Sequence, residues 1–128
     1  MAEAKSVPPG MIRLEVDDPP RYYLSKAQGD IRGWFASVDV ELPEEFWFEI
    51  GNVRIAHRRV LREDVETAMP ECNVVAFLIP YDLKKLLPYI DGQSLTIRLI
   101  LPEYPSRIVK FTIAEGAMAN CLAAASEM

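Results

Sequence analysis

The sequence predicts an all-β protein, an antiparallel β-sandwich of about seven strands with one or two short helical turns and a C-terminal helix. Three observations predict it. Apolar and polar residues alternate with period two in several short runs, the signature of half-buried strands. Proline, glycine and asparagine break those runs at short intervals, as in sandwiches. Helix-favouring composition is confined to two short segments and an alanine-rich tail.

Residues 11–16 alternate apolar and polar and form the first strand. Asp17, Asp18, Pro19 and Pro20 stop it, because proline cannot donate to a ladder and restricts its predecessor. Residues 21–29 read as a loop holding Tyr22 and Tyr23. Residues 31–38 form the second strand, with Ile31, Phe35 and Ser37 on one side and Arg32, Trp34, Ala36 and Val38 on the other. Gly33 inside that strand marks a bulge or a close backbone approach. Residues 45–50 give a third strand, whose Phe46, Phe48 and Ile50 share a face. Gly51 and Asn52 then make a tight hairpin to a fourth strand at 53–57.

Residues 62–69 have helical composition but only about two turns of length. Residues 72–79 are continuously apolar but for Asn73, which places that strand centrally or buries both its faces, and Pro80 closes it. Asp82 is positioned to cap a short helix at 83–87 that Pro88 ends. Residues 93–101 and 107–113 are the last two strands. The tail, 114–128, favours helix.

A chain of 128 residues is expected to form one domain. The sandwich is assigned to 11–113, preceded by a flexible lead at 1–10 and followed by a helix or linker at 114–128. Apolar residues make up 50% and charged residues 26%, ordinary values for a globular chain rather than a disordered one. Fourteen basic against 19 acidic residues give a net charge of −5. That argues against nucleic acid or an anionic membrane as partner, since neither meets a basic field. The start lacks an apolar signal-peptide core. The longest apolar run, 74–80, falls far short of the ~20 residues of a membrane span. No membrane span and a cytoplasmic location are expected.

Two cysteines and one histidine do not make a structural zinc site, which takes four such ligands at short spacings. Cys72 and Cys121 are expected to be free thiols in a reducing compartment. The glycines form no phosphate-cradling motif. No cofactor, metal or catalytic residue is assigned, and the chain is not expected to be an enzyme.

His57 lacks a neighbouring nucleophile or carboxylate motif and reads as a strand residue at the end of an apolar stripe. The acidic pairs Asp17 and Asp18, Glu44 and Glu45, and Glu63 and Asp64 read as solvated turn residues, because neighbours on a strand point to opposite faces. Arg54, Arg58, Arg59 and Arg62 form the densest positive run. They are a candidate anion site, or a solvated hairpin flank paired with nearby glutamates. Trp47 sits between Glu45 and Glu49 on the polar face of its strand. It is a candidate sugar platform or interface anchor, or a second-layer core residue. Tyr22 and Tyr23 are candidate contact residues beside it. Trp34, grouped with Ala36 and Val38, reads as core.

Three segments together carry a resemblance. They are Gly33 with Trp34, Arg62-Glu63-Asp64-Val65 followed by Met69 and Pro70, and Ala76 with Phe77. The pattern resembles a small immunoglobulin-like module found beside glycosyltransferase and methyltransferase domains in bacterial surface-polysaccharide proteins. In that pattern Glu63 stands where proline is usual, and Ala76 where glycine is usual. The resemblance implies a non-catalytic accessory role in cell-surface glycan assembly, with a glycan or a partner enzyme domain as partner. A physical role for the second segment is a staple, with Asp64 capping the turn and Arg62 pairing with it or with a neighbouring strand's carbonyls. The alternative function is structural self-association, for example a homodimer through open sheet edges or the terminal helix, or a protein–protein interaction domain, with no small-molecule ligand.

Overall fold

The computed structural model describes residues 11–38 and 41–126. The predicted lead at 1–10 lies outside the described residues. Two sheets stack face to face. Sheet A has the order β1 (Arg13–Asp18), β3 (Gln28–Ser37), β7 (Asn73–Asp82), β6 (Arg58–Val60), and all its pairings are antiparallel. Sheet B has the order β2 (Tyr23–Leu24), β9 (Arg107–Ile113), β8 (Ser94–Ile100), β4 (Trp47–Ile50), β5 (Val53–Ile55), with β2 alone running parallel to its neighbour. The sandwich and its C-terminal helix are as the sequence predicts.

The core forms because alternate residues of both sheets turn inward. Phe35, Phe77, Phe48, Leu99 and Phe111 meet there, all nearly inaccessible. Phe35 meets Phe46 edge to face at 5.0 Å, and Phe48 meets Phe77 at 4.7 Å. Burying one such ring contributes about 1.5–3 kcal/mol.

Two strands escape the sequence reading. The segment at 21–29 is not simply a loop. Pro20–Tyr22 form a 3-10 turn, Tyr23–Leu24 pair with Thr112 and Ile113, and β3 begins at Gln28. Leu24 is fully buried, which ties this piece to the core. The expected strand at 53–57 ends at Ile55. Ala56 and His57 carry the chain from sheet B to sheet A, where Arg58–Val60 becomes an edge strand. His57 packs against Phe46 and Phe48 at that crossing, 4.8 and 5.3 Å between ring centres.

Pro80 does not close its strand. β7 continues to Asp82, pairing only with β3 there, because β6 reaches no further than Leu78. A missing N–H is tolerated where one flank is open. The hairpin at Gly51 forms as predicted, with Gly51 at φ +59°. Asp82 caps α2 (Leu83–Leu86) by accepting a hydrogen bond from the Lys84 N–H at 3.1 Å.

The outer face of sheet A has its own small core. Trp34, Ala36 and Ala76 project outward and are covered by Val65 and Met69 of the α1 region (helix Glu63–Ala68). Val38, grouped with them by periodicity, is instead exposed. Gly33 is the close approach that the sequence signals: a Cβ there would lie 2.4 Å from the Glu15 carbonyl oxygen and 2.7 Å from the Phe77 ring.

The tail is a packed helix. α3 (Glu115–Ser126) sets Ala117 and Cys121, one turn apart, into the main core and lies beside α2. Both cysteines are free thiols, Cys121 buried and Cys72 half-buried. Among the described residues no helix is long and apolar enough to cross a membrane.

Candidate functional site

Among the described residues the outer face of sheet B carries no second core like the one that α1 completes on sheet A. Inward residues of β8 and β9 belong to the core, so alternation turns Thr96, Arg98, Ile108, Lys110 and Thr112 outward. Ile108 is 66% exposed and Tyr23 47%.

Trp47 lies on this face, half-buried. Its indole N–H donates to Glu49 Oε2 at 2.7 Å. The other oxygen of Glu49 accepts from Arg98 at 2.8 Å, and Arg98 also donates to the Gly51 carbonyl at 2.9 Å. Arg54 stands over the indole, its guanidinium carbon 4.0 Å from the ring centre. The hairpin creates this stack. Its register sets Arg54 opposite Glu49, one diagonal step from Trp47. Arg54 has no carboxylate partner among the described residues, and the ring is what holds it. An exposed cation–ring contact is worth about 0.5–1 kcal/mol. The ring is therefore fixed by its N–H bond, while its cover is weakly held.

The three candidate aromatics do not form one site. Tyr23 shares the outer face of sheet B with Trp47, but β9 and β8 lie between their strands. Three strand spacings separate them by about 14 Å across the sheet. Tyr22 turns away from that face. It meets Phe111 edge to face at 6.0 Å and lines a groove between β1 and β9. Its backbone and that of Arg21 are left-handed, φ +56° and +58°, a conformation that costs a non-glycine residue about 1–2 kcal/mol.

The four arginines are likewise distributed. Arg54 belongs to Trp47. Arg58 and Arg59 are exposed on the edge strand β6, and Arg59 lies 5.7 Å from the Phe46 ring. Arg62 is taken up by carboxylates. It donates to Asp64 at 2.9 Å through both Nε and Nη2, and to Asp17 at 3.2 Å through Nη1 and 2.5 Å through Nη2. This fork ties α1 to β1 across the small core, with Asp17 presented at an irregularity in the β1 register. The paired guanidinium holds the Asp64 carboxyl down at about 2. The helix itself is capped without a side-chain bond, so Asp64 acts through Arg62 rather than as the cap. Asp17, read from the sequence as a solvated turn residue, is an ion-pair partner.

His57, half-buried between two phenylalanines, is held below its usual pKa by burial and then by Arg59. Burial raises both thiols, with Glu71 adding to it at Cys72 and Asp82 at Cys121. No cluster of His, Cys, Asp and Glu among the described residues is arranged to hold a metal.

Sequence reasoning missed Glu49 as the partner of Trp47, Arg98 as the partner of Glu49, and Ile108 on the open face. One signal was available. Ile108 shares the parity of Lys110 and Thr112, so it is an apolar residue on a polar face.

No family model matches the chain, and no curated protein matches it.

Proposed function

We propose that this chain is a non-catalytic recognition module whose outer sheet B face binds carbohydrate at Trp47, in the setting of surface-glycan assembly that the sequence resemblance implies. The observation that carries the reading is the Trp47 arrangement. The indole donates to Glu49, which Arg98 also grips, and is overlain by Arg54, a side chain without a carboxylate partner among the described residues. A sugar's C–H face stacks on such a ring, and its hydroxyls meet the surrounding donors and acceptors. Arg54 lifts off to admit it.

Tryptophan fluorescence tests this. Trp34 is 8% exposed under α1, so ligand-dependent changes report Trp47. Neutral fragments of bacterial polysaccharides are expected to give a saturable, salt-insensitive shift. Trp47→Ala abolishes it, and Arg54→Ala, which uncovers the ring, tightens binding severalfold. A panel without response, or a response that survives Trp47→Ala, overturns the reading. A shift confined to nucleotide sugars and lost in salt moves the site to the arginines.

A second reading, docking of a partner chain, is favoured by the groove between β1 and β9, of about 620 Å³.

A further inference from the structure

The two long sides of the sandwich are finished differently. On one side the chain itself crosses from β5 to β6, and His57 plugs the crossing between Phe46 and Phe48. On the other side the sheets end at β1 and at β2 with β9, and the groove opens between them. β2 is only two residues long and pairs with Thr112 and Ile113. Next to it, Arg107–Lys110 of β9 pair with β8 on one flank and with no described strand on the other. That free stretch is about 13 Å long at ~3.3 Å per residue, the place a longer β2 would fill.

We propose that this groove takes an extended acidic peptide strand from a partner protein, added to sheet B beside Arg107–Lys110 in line with β2. The proposal gives the docking reading its chemistry and is independent of sugar binding at Trp47, which sits two strands away on β4. Three features select the occupant. The first is the unpaired strand edge, which binds extended backbone whatever its sequence. The second is apolar lining from Ile12, Leu14, Tyr22 and Val109 on the inner side, with Ile108 exposed on the outer.

The third is charge. The lining includes Arg13, Arg107 and Lys110 and no acidic residue, on a chain whose net charge is −5. Glu15 neutralises Arg13 at 2.9 Å. Arg107 donates to the Ile12 carbonyl at 2.8 Å, and neither it nor Lys110 has a carboxylate partner among the described residues. The groove therefore retains two uncompensated cations. Side-chain alternation sends a bound strand's apolar residues toward Val109 and Ile12, and its acidic ones toward Lys110.

The probe is a synthetic octapeptide alternating Val and Glu, titrated into isotope-labelled full chain and followed by backbone amide shifts. A Val/Lys octapeptide is the control. Saturable shifts are expected at Arg107–Lys110 and at Ile12–Leu14, with at least tenfold weaker binding of the Val/Lys peptide. Lys110→Glu, on an exposed side chain, should reverse that preference, and Trp47→Ala should leave it unchanged. Absence of shifts at Arg107–Lys110, or equal binding of both peptides, overturns the proposal. Shifts at those amides on concentrating the protein alone would give the groove to a second copy, overturning the acidic strand while leaving docking itself intact.

Discussion

The two tryptophans stand on opposite outer faces of one sandwich and meet opposite fates. Trp34, in the middle of β3, is roofed by Val65 and Met69 and belongs to a second core. Trp47, at the start of β4, is roofed by one arginine and stays half-buried. Both residues occupy the outward parity of their strands, with Ala36 beside Trp34 and Glu49 beside Trp47. What completes the difference is the later chain. Residues 62–69 return as a helix over sheet A, whereas the outward residues of sheet B stay exposed or half-buried. An outward aromatic becomes core when a distant segment is delivered to it, and a surface feature when none is.

The largest expected effect breaks this comparison directly. Trp34→Ala should lower stability by about 3–5 kcal/mol, as for other buried large aromatics. Trp47→Ala should lower it by about 1 kcal/mol, the scale of an exposed ring contact and one hydrogen bond. Urea unfolding midpoints of the two variants measure both. Equal losses would mean that Trp47 is structural, and the case for a ligand at that ring would go with it.

Next comes Gly33, directly beneath the roofed face. An alanine there forces β1 and β3 apart, because its Cβ would sit 2.4 Å from a backbone oxygen. A loss of about 1–3 kcal/mol is expected, as for other overpacked sites. Gly116 in α3 is the counter-case, with nothing within 4 Å of its missing Cβ. Gly116→Ala should stabilise by up to about 1 kcal/mol, through helix propensity. Thermal melts of the pair separate steric need for glycine from incidental glycine.

Much of this fold was legible because its signals are local. The alternation in 45–50, the Gly51 turn, the Asp82 cap and the close approach at Gly33 each follow from a few adjacent residues. The misses depend on distant partners. β2 exists because Leu24 fills the core beside Ile113, and nothing near Leu24 encodes that. Ala56 and His57 read as a continuation of β5, since a change of sheet leaves the alternation almost intact. The arginine run looked like one patch because its members are close in sequence. The sheet change after Ile55 and the carboxylates of Asp17 and Asp64 divide it. At the candidate site, Trp47 was legible from its parity between two glutamates. The bond from Arg98 to Glu49 was not, because only the register between β4 and β8 brings the two together.

The smallest expected effect tests what holds the roof down. Arg62 links α1 to β1 by gripping Asp64 and Asp17 together. All three carry exposed surface, so Arg62→Met at neutral pH should lower the unfolding midpoint by less than Gly33→Ala does, in keeping with ion pairs near solvent. The acid range is more telling. The folded Asp64 carboxyl is held at about 2 against an ordinary 3.8, through hydrogen bonds from Arg62. A depressed folded value means that the unfolded chain takes up the proton first. The contribution is therefore fully present above the ordinary value and is lost as pH falls from about 4 toward 2. Wild-type stability should decline through that window, and Arg62→Met should flatten the decline. The variant should also increase quenching of Trp34 by acrylamide at neutral pH while leaving Trp47 unmoved, because only the sheet A tryptophan lies under the helix that Arg62 anchors. If the decline is unchanged in Arg62→Met, α1 is held by Val65 and Met69 alone, and the fork between the two segments is an ornament of the surface rather than a clasp.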